Sequence, residues 1–511
     1  MDTPYEHPNT RPTNEPDAPP ATPVSAPEGG VPDPGSPAAR TLALLAGILG
    51  LFAVFALQQL PEPAAPEPTP EQREALVDAP LPDPSGLGVS GKILVRIDHA
   101  NREGTDPGPL STRFAGEITK TARAPEDLAR AAVLLGELTG TDAALSELEK
   151  LGTKLEEDSE YAPGLDIDLV ELRTIYESGP ESLDDSQRER LVTRLGWVGE
   201  LALTHGPNGP SADDEARSLL LSGGHQIVAI AVGGFALLGT AFAVGLALLV
   251  IALVRASSGS LRPAFRKPPV GGSLYLELFA VFAWGFFAVQ ILSGLLGMLA
   301  PPGTAVYIGM TLQWSLLGLV VVYPAIRSVP GKTSRAQLGL HKGQGVLKEI
   351  GAGVLGYLAG VPIYLGALLV TMVLILVWTY VQRTVLGIDD PAPPSNPLGD
   401  MVSGGTALQV ALLFALAVIW APIVEELVFR GGLFRHMRSR VAWPIAAVGS
   451  TIAFALMHGY AVPLLLPVAT LGVIFGAMRE WRDSLIAPMT AHFIHNFVTL
   501  SVAILIFRML A

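Results

Sequence analysis

The stretch TALQVALLFALAVIWAPIVEELVF, residues 406–429, is apolar for most of its length, then sets Glu425 and Glu426 side by side, with Arg430 directly after it. Its length meets the ~20 residues a helix needs to cross a hydrocarbon core. A charged side chain near the bilayer centre costs at least ~2.5–3.5 kcal/mol, so each of these calls for a partner, a cavity or a function. Similar runs recur near 227–254, 274–299, 305–326, 350–381, 441–458, 461–478 and 484–507. They predict an all-α, polytopic transmembrane helical bundle of about eight core spans. TLALLAGILGLFAVFAL at 41–57 adds an N-terminal anchor. The chain has no cysteine, which removes disulfides, thiolate nucleophiles and cysteine-ligated metals from consideration.

The net charge of −13 is unevenly distributed. Residues 1–60 hold 6 acids and 2 bases, residues 61–222 hold 32 and 15, and residues 223–511 hold 9 and 17. A nucleic-acid partner would require a basic stripe on a soluble face, and the soluble part here is acidic, so no such partner is expected. Residues 1–39 are rich in Pro, Ala, Ser and Thr and read as a disordered tail, with the anchor at 40–60. Residues 61–222 open on a Pro-rich linker and then read as an acidic, mainly helical domain. Apolar residues recur three and four apart in EDLARAAVLLGELTG (126–140) and DAALSELEKLGTKLEE (142–157). GKILVRIDHA (91–100) alternates and reads as a strand. The membrane core is 225–511, with its polar motifs inside 400–511.

Fifteen Lys and Arg residues fall in alternate loops of the core, and the remaining loops hold only Arg383. By the positive-inside bias this predicts a multi-pass plasma (inner) membrane protein with a cytoplasmic tail and an extracytoplasmic 61–222 domain. That domain carries no candidate catalytic group, and its expected role is to bind a protein partner.

Among the polar side chains within the apolar runs the candidates for a role are Glu277, Glu425, Glu426, His458, His492, His495 and Asn496, with Arg430 at a margin. Glu426 and Arg430, four apart, share a helix face and can pair, while Glu425 turns ~100° away. Pro422 frees a backbone carbonyl that a neighbouring helix or water must satisfy. His458 precedes Gly459 at the end of a run, and His492 and Asn496 share one face. Each feature has an ordinary reading. The charges can form an interfacial cluster, His458 can cap a helix, His492 with Asn496 can be interhelical glue, and His495 and Glu277 can be structural. The conjunction points further, because a carboxylate, two imidazoles and an amide in consecutive spans are the means of acyl transfer to water.

Taken in order, E-E-x-x-x-R at Glu425–Arg430, F-x-x-x-H at Phe454–His458 and H-x-x-x-N at His492–Asn496 resemble the CAAX-protease and bacteriocin-processing family of intramembrane proteases. That group includes the type II CAAX prenyl endopeptidases and the bacterial Abi proteins. The resemblance covers about 400–511. It implies that Glu425 activates a water that His458 helps to hold, and that His492 and Asn496 stabilise the oxyanion. It further implies that Glu426 and Arg430 orient the base, with Phe454 supporting. The expected substrate is a membrane-associated protein or peptide in the lipid bilayer.

A metal is left open. Glu425, His458 and His492 are candidate zinc ligands, although no H-E-x-x-H helix is present. Two other classes also stand beside the protease: a transporter or proton relay, and a non-catalytic scaffold or immunity-type protein. One geometric conflict is visible in the sequence. With straight helices and Arg430 at the membrane edge, Glu425 lies ~7.5 Å deep, His492 ~13 Å and His458 ~27 Å. The resolution expected is an interfacial helix or re-entrant dip between 431 and 444.

Overall fold

The computed structural model describes residues 33–60, 70–102, 108–157, 161–210, 215–299, 304–388, 401–402 and 405–510. The tail up to residue 32 and the start of the Pro-rich linker, 61–69, lie outside the described residues. Helix α1 (Pro37–Gln58) begins inside the segment read as tail. The Ser36 side chain caps it, accepting from the Ala39 amide at 3.1 Å, and Asp33 pairs with Arg435 at 2.7 Å. Residues 33–39 are therefore held by the bundle rather than loose.

Among the described residues nine helices follow ahead of the core: α2 (Pro70–Val77), α3 (Leu87–Asn101), α4 (Pro109–Thr121), α5 (Pro125–Thr139), α6 (Thr141–Glu157), α7 (Leu165–Ser178), α8 (Asp185–Leu195), α9 (Trp197–Ala202) and α10 (Glu215–Leu221). A two-residue antiparallel hairpin, β1 (His205–Gly206) with β2 (Gly209–Pro210), is the sheet among the described residues. The segment read as a strand at 91–100 is part of α3. Its alternation is brief, and over the longer window Leu87, Gly91, Val95 and Asp98 fall at helical spacing and are buried. Gly91 meets Leu134 so closely that a Cβ would lie 2.3 Å from it.

Helix α5 is the centre of this unit, with every residue from Asp127 to Leu138 buried. A helix enclosed on all sides must satisfy its own charges. Arg130 donates to the carbonyls of Leu81 and Pro82, and Glu137 meets Arg217 and, at 3.3 Å, His205. Burial works to raise the Glu137 carboxyl. The adjacent His205 and Arg217 side chains outweigh burial and hold it below the ordinary carboxylate value. A depressed carboxyl contributes stability above its unfolded value of about 4.3 and loses it as pH falls through the folded one. Residues 70–222 expressed alone should therefore lose urea resistance on acidification below about pH 4. Glu137→Gln should be weaker at neutral pH and lose less on acidification. Equal urea midpoints at pH 7 and pH 3 for the unsubstituted domain would contradict this.

The membrane part comprises α11 (Gly224–Ser257), α12 (Leu274–Leu299), α13 (Ala305–Ile326), the short α14 (Gly331–Leu338), α15 (Val346–Thr384), α16 (Ala407–Arg438), α17 (Trp443–Leu456), α18 (Leu465–Arg482) and α19 (Ile486–Ile504). Among the described residues 8 helices are long and apolar enough to cross a membrane, α1 included. The run at 441–458, expected to be a further span, forms the shorter α17. Its 14 residues reach ~21 Å, against a core of ~30 Å.

Helix α1 packs on α12 through small residues, as helices do where lipid gives no hydrophobic drive to associate. A Cβ on Gly47 would come 3.1 Å from Phe279, and one on Gly50 3.1 Å from Ala283. The basic helix ends are tied together by ion pairs: Arg327 to Glu277 at 2.8 Å, Arg438 to Glu480 at 3.0 Å and Arg482 to Glu349 at 2.7 Å.

Candidate active site

Helix α16 is α-helical at its ends and wider at two places, with π turns over Leu416–Trp420 and Glu426–Leu433. In a π register a carbonyl takes its bond from the amide five residues on. For Ala417 that residue is Pro422, which has no N–H. The Ala417 carbonyl is satisfied from another helix instead: Asn496 of α19 donates its side-chain amide to it at 2.7 Å. This is the freed carbonyl expected from Pro422, and Asn496 is its partner. Asn496→Ala should cost about 1–3 kcal/mol by leaving that oxygen unpaired in the membrane. Thermal unfolding in detergent measures it, and an unchanged midpoint would show that the bond supports nothing.

Between the two π turns, Ala421–Glu425 form one α turn, so Glu425 and Glu426 leave the helix in different directions. Glu426 is fully buried, and a single oxygen of its carboxylate accepts from Arg430 at 3.0 Å and meets His492 Nδ1 at 3.0 Å. Arg430 is also fully buried and donates to the Gly472 carbonyl at 3.2 Å. Its guanidinium lies 4.3 Å from the ring centre of Phe454 and 5.3 Å from that of Phe475. A flat, delocalised cation suits that slot, and a lysine ammonium would not fill it.

Glu425 has a different setting. Its side chain keeps 17% of its exposure, and Oε2 stands 3.8 Å from His492 Nε2, with no hydrogen-bond partner. It lines a cavity of about 310 Å³ together with His458. His458 Nδ1 lies 2.8 Å from the Phe454 carbonyl, which can only accept, so Nδ1 carries the proton and Nε2 is left with its lone pair. The ring packs edge-on against Phe454, centres 4.7 Å apart. Phe454 therefore touches both the Arg430 guanidinium and the His458 ring.

Six of the seven motif residues touch one another or line this cavity, and Asn496 is tied to it through the Ala417 carbonyl. Residues 407–498 match the family described as type II CAAX prenyl endopeptidase Rce1-like. That stretch is similar to the family, and the rest of the chain lies outside the match. No curated protein and no solved structure matches the chain. Every motif residue from Glu425 to Asn496 lies within the matched stretch. Helices α1, α12 and α13, which complete the cavity, lie outside the matched stretch.

The depth conflict resolves in part as anticipated: the run ending at His458 is a short helix with Pro444 in its first turn, whereas 431–438 continue α16 instead of dipping. Arg430 does not mark the membrane edge. Helix α16 runs on to Arg438, so Glu425 lies ~20 Å from that end, and α17 stops short at Leu456. Glu425 and His458 thereby line one cavity, with His492 3.8 Å from Glu425. His495 faces away from them, buried against Tyr364 and Tyr357 with ring centres 5.0 and 6.1 Å distant, as a structural group.

Among the described residues no group of three or more His, Asp or Glu side chains is arranged to hold a metal ion. Within the candidate set, His492 turns Nδ1 to Glu426, and its Nε2 is 3.8 Å from Glu425. Sequence reading passed over Gln58, Gln313 and Trp420, which also line the cavity. Gln58 sits at the end of an anchor and Trp420 within an apolar run, so neither position carries a signal until the helices are packed.

Proposed function

We propose that the protein is an intramembrane endopeptidase that hydrolyses a peptide bond in a membrane-associated protein or peptide, with Glu425 as the base that activates water. The observation that carries this reading is the unlike setting of two neighbouring carboxylates. Glu426 is held by Arg430 and His492, whereas Glu425 Oε2 has no hydrogen-bond partner and the Glu425 side chain is one of those that line the cavity. Preorganised groups of this kind gain strength where bulk water is excluded.

In this reading a water lies between Glu425 and the His458 Nε2 lone pair. Its oxygen adds to the substrate carbonyl as Glu425 takes its proton. The tetrahedral intermediate then breaks its C–N bond, and Glu425 returns the proton to the leaving nitrogen, giving a carboxylate and a free amine. His492 steadies Glu425 from the side away from the cavity. The oxyanion-stabilising roles that the family resemblance implies for His492 and Asn496 would draw on the second N–H of Asn496 and on a doubly protonated His492, whose Nδ1–H faces Glu426 and whose Nε2–H would be the donor. Neither residue lines the cavity, so substrate entry would have to bring the oxyanion to them.

The test is a comparison of new peptide termini in membranes carrying wild type or Glu425→Gln. Termini made by wild type and absent with the variant support the reading, and identical sets remove Glu425 from it. The proposed orientation, with 61–222 outside and 430–440 inside, has its own check. Alkaline phosphatase fused after Ser222 should be active and a fusion after Arg440 inactive, and the reverse pattern would invert the topology.

A further inference from the structure

We propose that Gln58 and Trp420 hold the main chain of an extended peptide in the cavity. The Gln58 carboxamide oxygen would accept from a peptide N–H, and the Trp420 indole N–H would donate to a peptide carbonyl. The proposal rests on the hydrolytic reading above and deepens it.

Three buried polar atoms without a hydrogen-bond partner belong to residues that line this one cavity: Gln58 Oε1, Trp420 Nε1 and Glu425 Oε2. Trp420 is 3% exposed, and an indole N–H can only donate. The orientation of the Gln58 amide is set by a bond on its other side. Its Nε2 donates to the Met457 carbonyl at 3.2 Å, which leaves the oxygen as the free acceptor. Leaving a buried donor or acceptor unpaired costs about 1–3 kcal/mol, and such groups are retained in native structures for a reason.

An incoming peptide supplies one. A substrate segment opened out of helical form inside a membrane presents unpaired N–H and C=O groups that hydrocarbon cannot satisfy. Residues of the wall carry one such acceptor and one such donor, each buried in the peptide-free protein. The remainder is mostly apolar, with Phe282, Phe286, Leu413 and Met457, so an apolar residue is favoured next to the bond that is cut.

Gln58 comes from α1, far in sequence from the matched domain. It is delivered by the Gly47 and Gly50 packing on α12, and its neighbour Gly459 leaves room for it. At Gly459 φ is +66°, and a Cβ would lie 2.8 Å from the Gln58 side chain. On this account the anchor is a wall of the binding site as well as a tether.

The test uses the full-length protein in liposomes. A synthetic peptide spanning the most abundant terminus that wild type makes and Glu425→Gln does not serves as the probe. Trp420→Phe keeps the ring and removes the donor, and Gln58→Leu removes the acceptor. Gln59→Leu is the control, because Gln59 donates a matching bond to the Gly459 carbonyl at 3.2 Å without lining the cavity. Trp420→Phe and Gln58→Leu should each raise KM on the order of tenfold and leave kcat nearly unchanged. Placed in the inactive Glu425→Gln protein, they should weaken retention of the uncut probe by a similar factor, and Gln59→Leu should alter neither. Unchanged KM and retention in both variants would overturn the proposal while leaving Glu425 in place. An equal loss with Gln59→Leu would also overturn it, reducing the effect to packing of the 457–460 loop. If wild type makes no termini at all, the hydrolytic reading fails and the proposal fails with it.

Discussion

Glu425→Gln should reduce turnover on the order of 10²–10⁴-fold while the protein inserts and folds as wild type does. Glutamine matches the carboxylate in size and removes its capacity to accept a proton. It also breaks no hydrogen bond of Oε2 in the folded protein. The nearest basic atom, His492 Nε2, is 3.8 Å from Oε2, beyond hydrogen-bond distance. Thermal unfolding should therefore stay within the small range of a surface change, about 0.5 kcal/mol, or shift upward because one partly buried charge is gone. Loss of activity accompanied by loss of yield would assign Glu425 to the frame of the bundle instead of its chemistry.

Arg430→Ala should have the opposite profile, with folding failing first. The guanidinium is enclosed between Phe454 and Phe475, pairs with Glu426 at 3.0 Å and donates to the Gly472 carbonyl. Removing it strands a fully buried carboxylate and leaves a void between two rings, a change worth about 3–5 kcal/mol. Arg430→Lys should recover little, since an ammonium cannot stack between the rings or reach both acceptors. A double variant, Arg430→Met with Glu426→Gln, removes the charge imbalance and should regain part of the stability without regaining activity. The measurement is the folded fraction after detergent extraction and heating. If Arg430→Ala extracts and melts like wild type, the buried pair is not a structural strut.

Much of this site could be read from spacing alone. Glu426 with Arg430, and His492 with Asn496, stand four apart, and on any helix that spacing puts both members of a pair on one face. The freed carbonyl near Pro422 was also legible, although not its identity. Ala417 is the orphan because the local register is π rather than α, and single-residue widening of a helix leaves no periodic trace in an apolar run. Depth was the other failure. Arg430 looks like an edge residue because arginine in a membrane normally sits there. Here two aromatic rings and a buried carboxylate satisfy it inside the bundle, and α16 continues to Arg438. The cavity was not legible at all. Gln58 and Glu425 are brought together by glycine-mediated packing of α1 on α12, a long-range contact that neither local pattern announces. In the outer unit the brief alternation at 91–100 gave way to the longer helical spacing of α3, because burial against α5 is decided over several turns.

The central claim is that Glu425 delivers a water to the peptide carbonyl without bonding to the substrate itself. It is tested most directly by a single turnover of the purified protein in water enriched in oxygen-18, using a peptide that wild type cuts. Mass spectrometry then reads both the product and the segment that contains Glu425. The account predicts one heavy oxygen in the new carboxylate of the product, none in Glu425, and no labelled product with Glu425→Gln. Heavy oxygen in the Glu425 carboxylate would contradict it, because that label arises only if Glu425 itself attacks the carbonyl and is released by water.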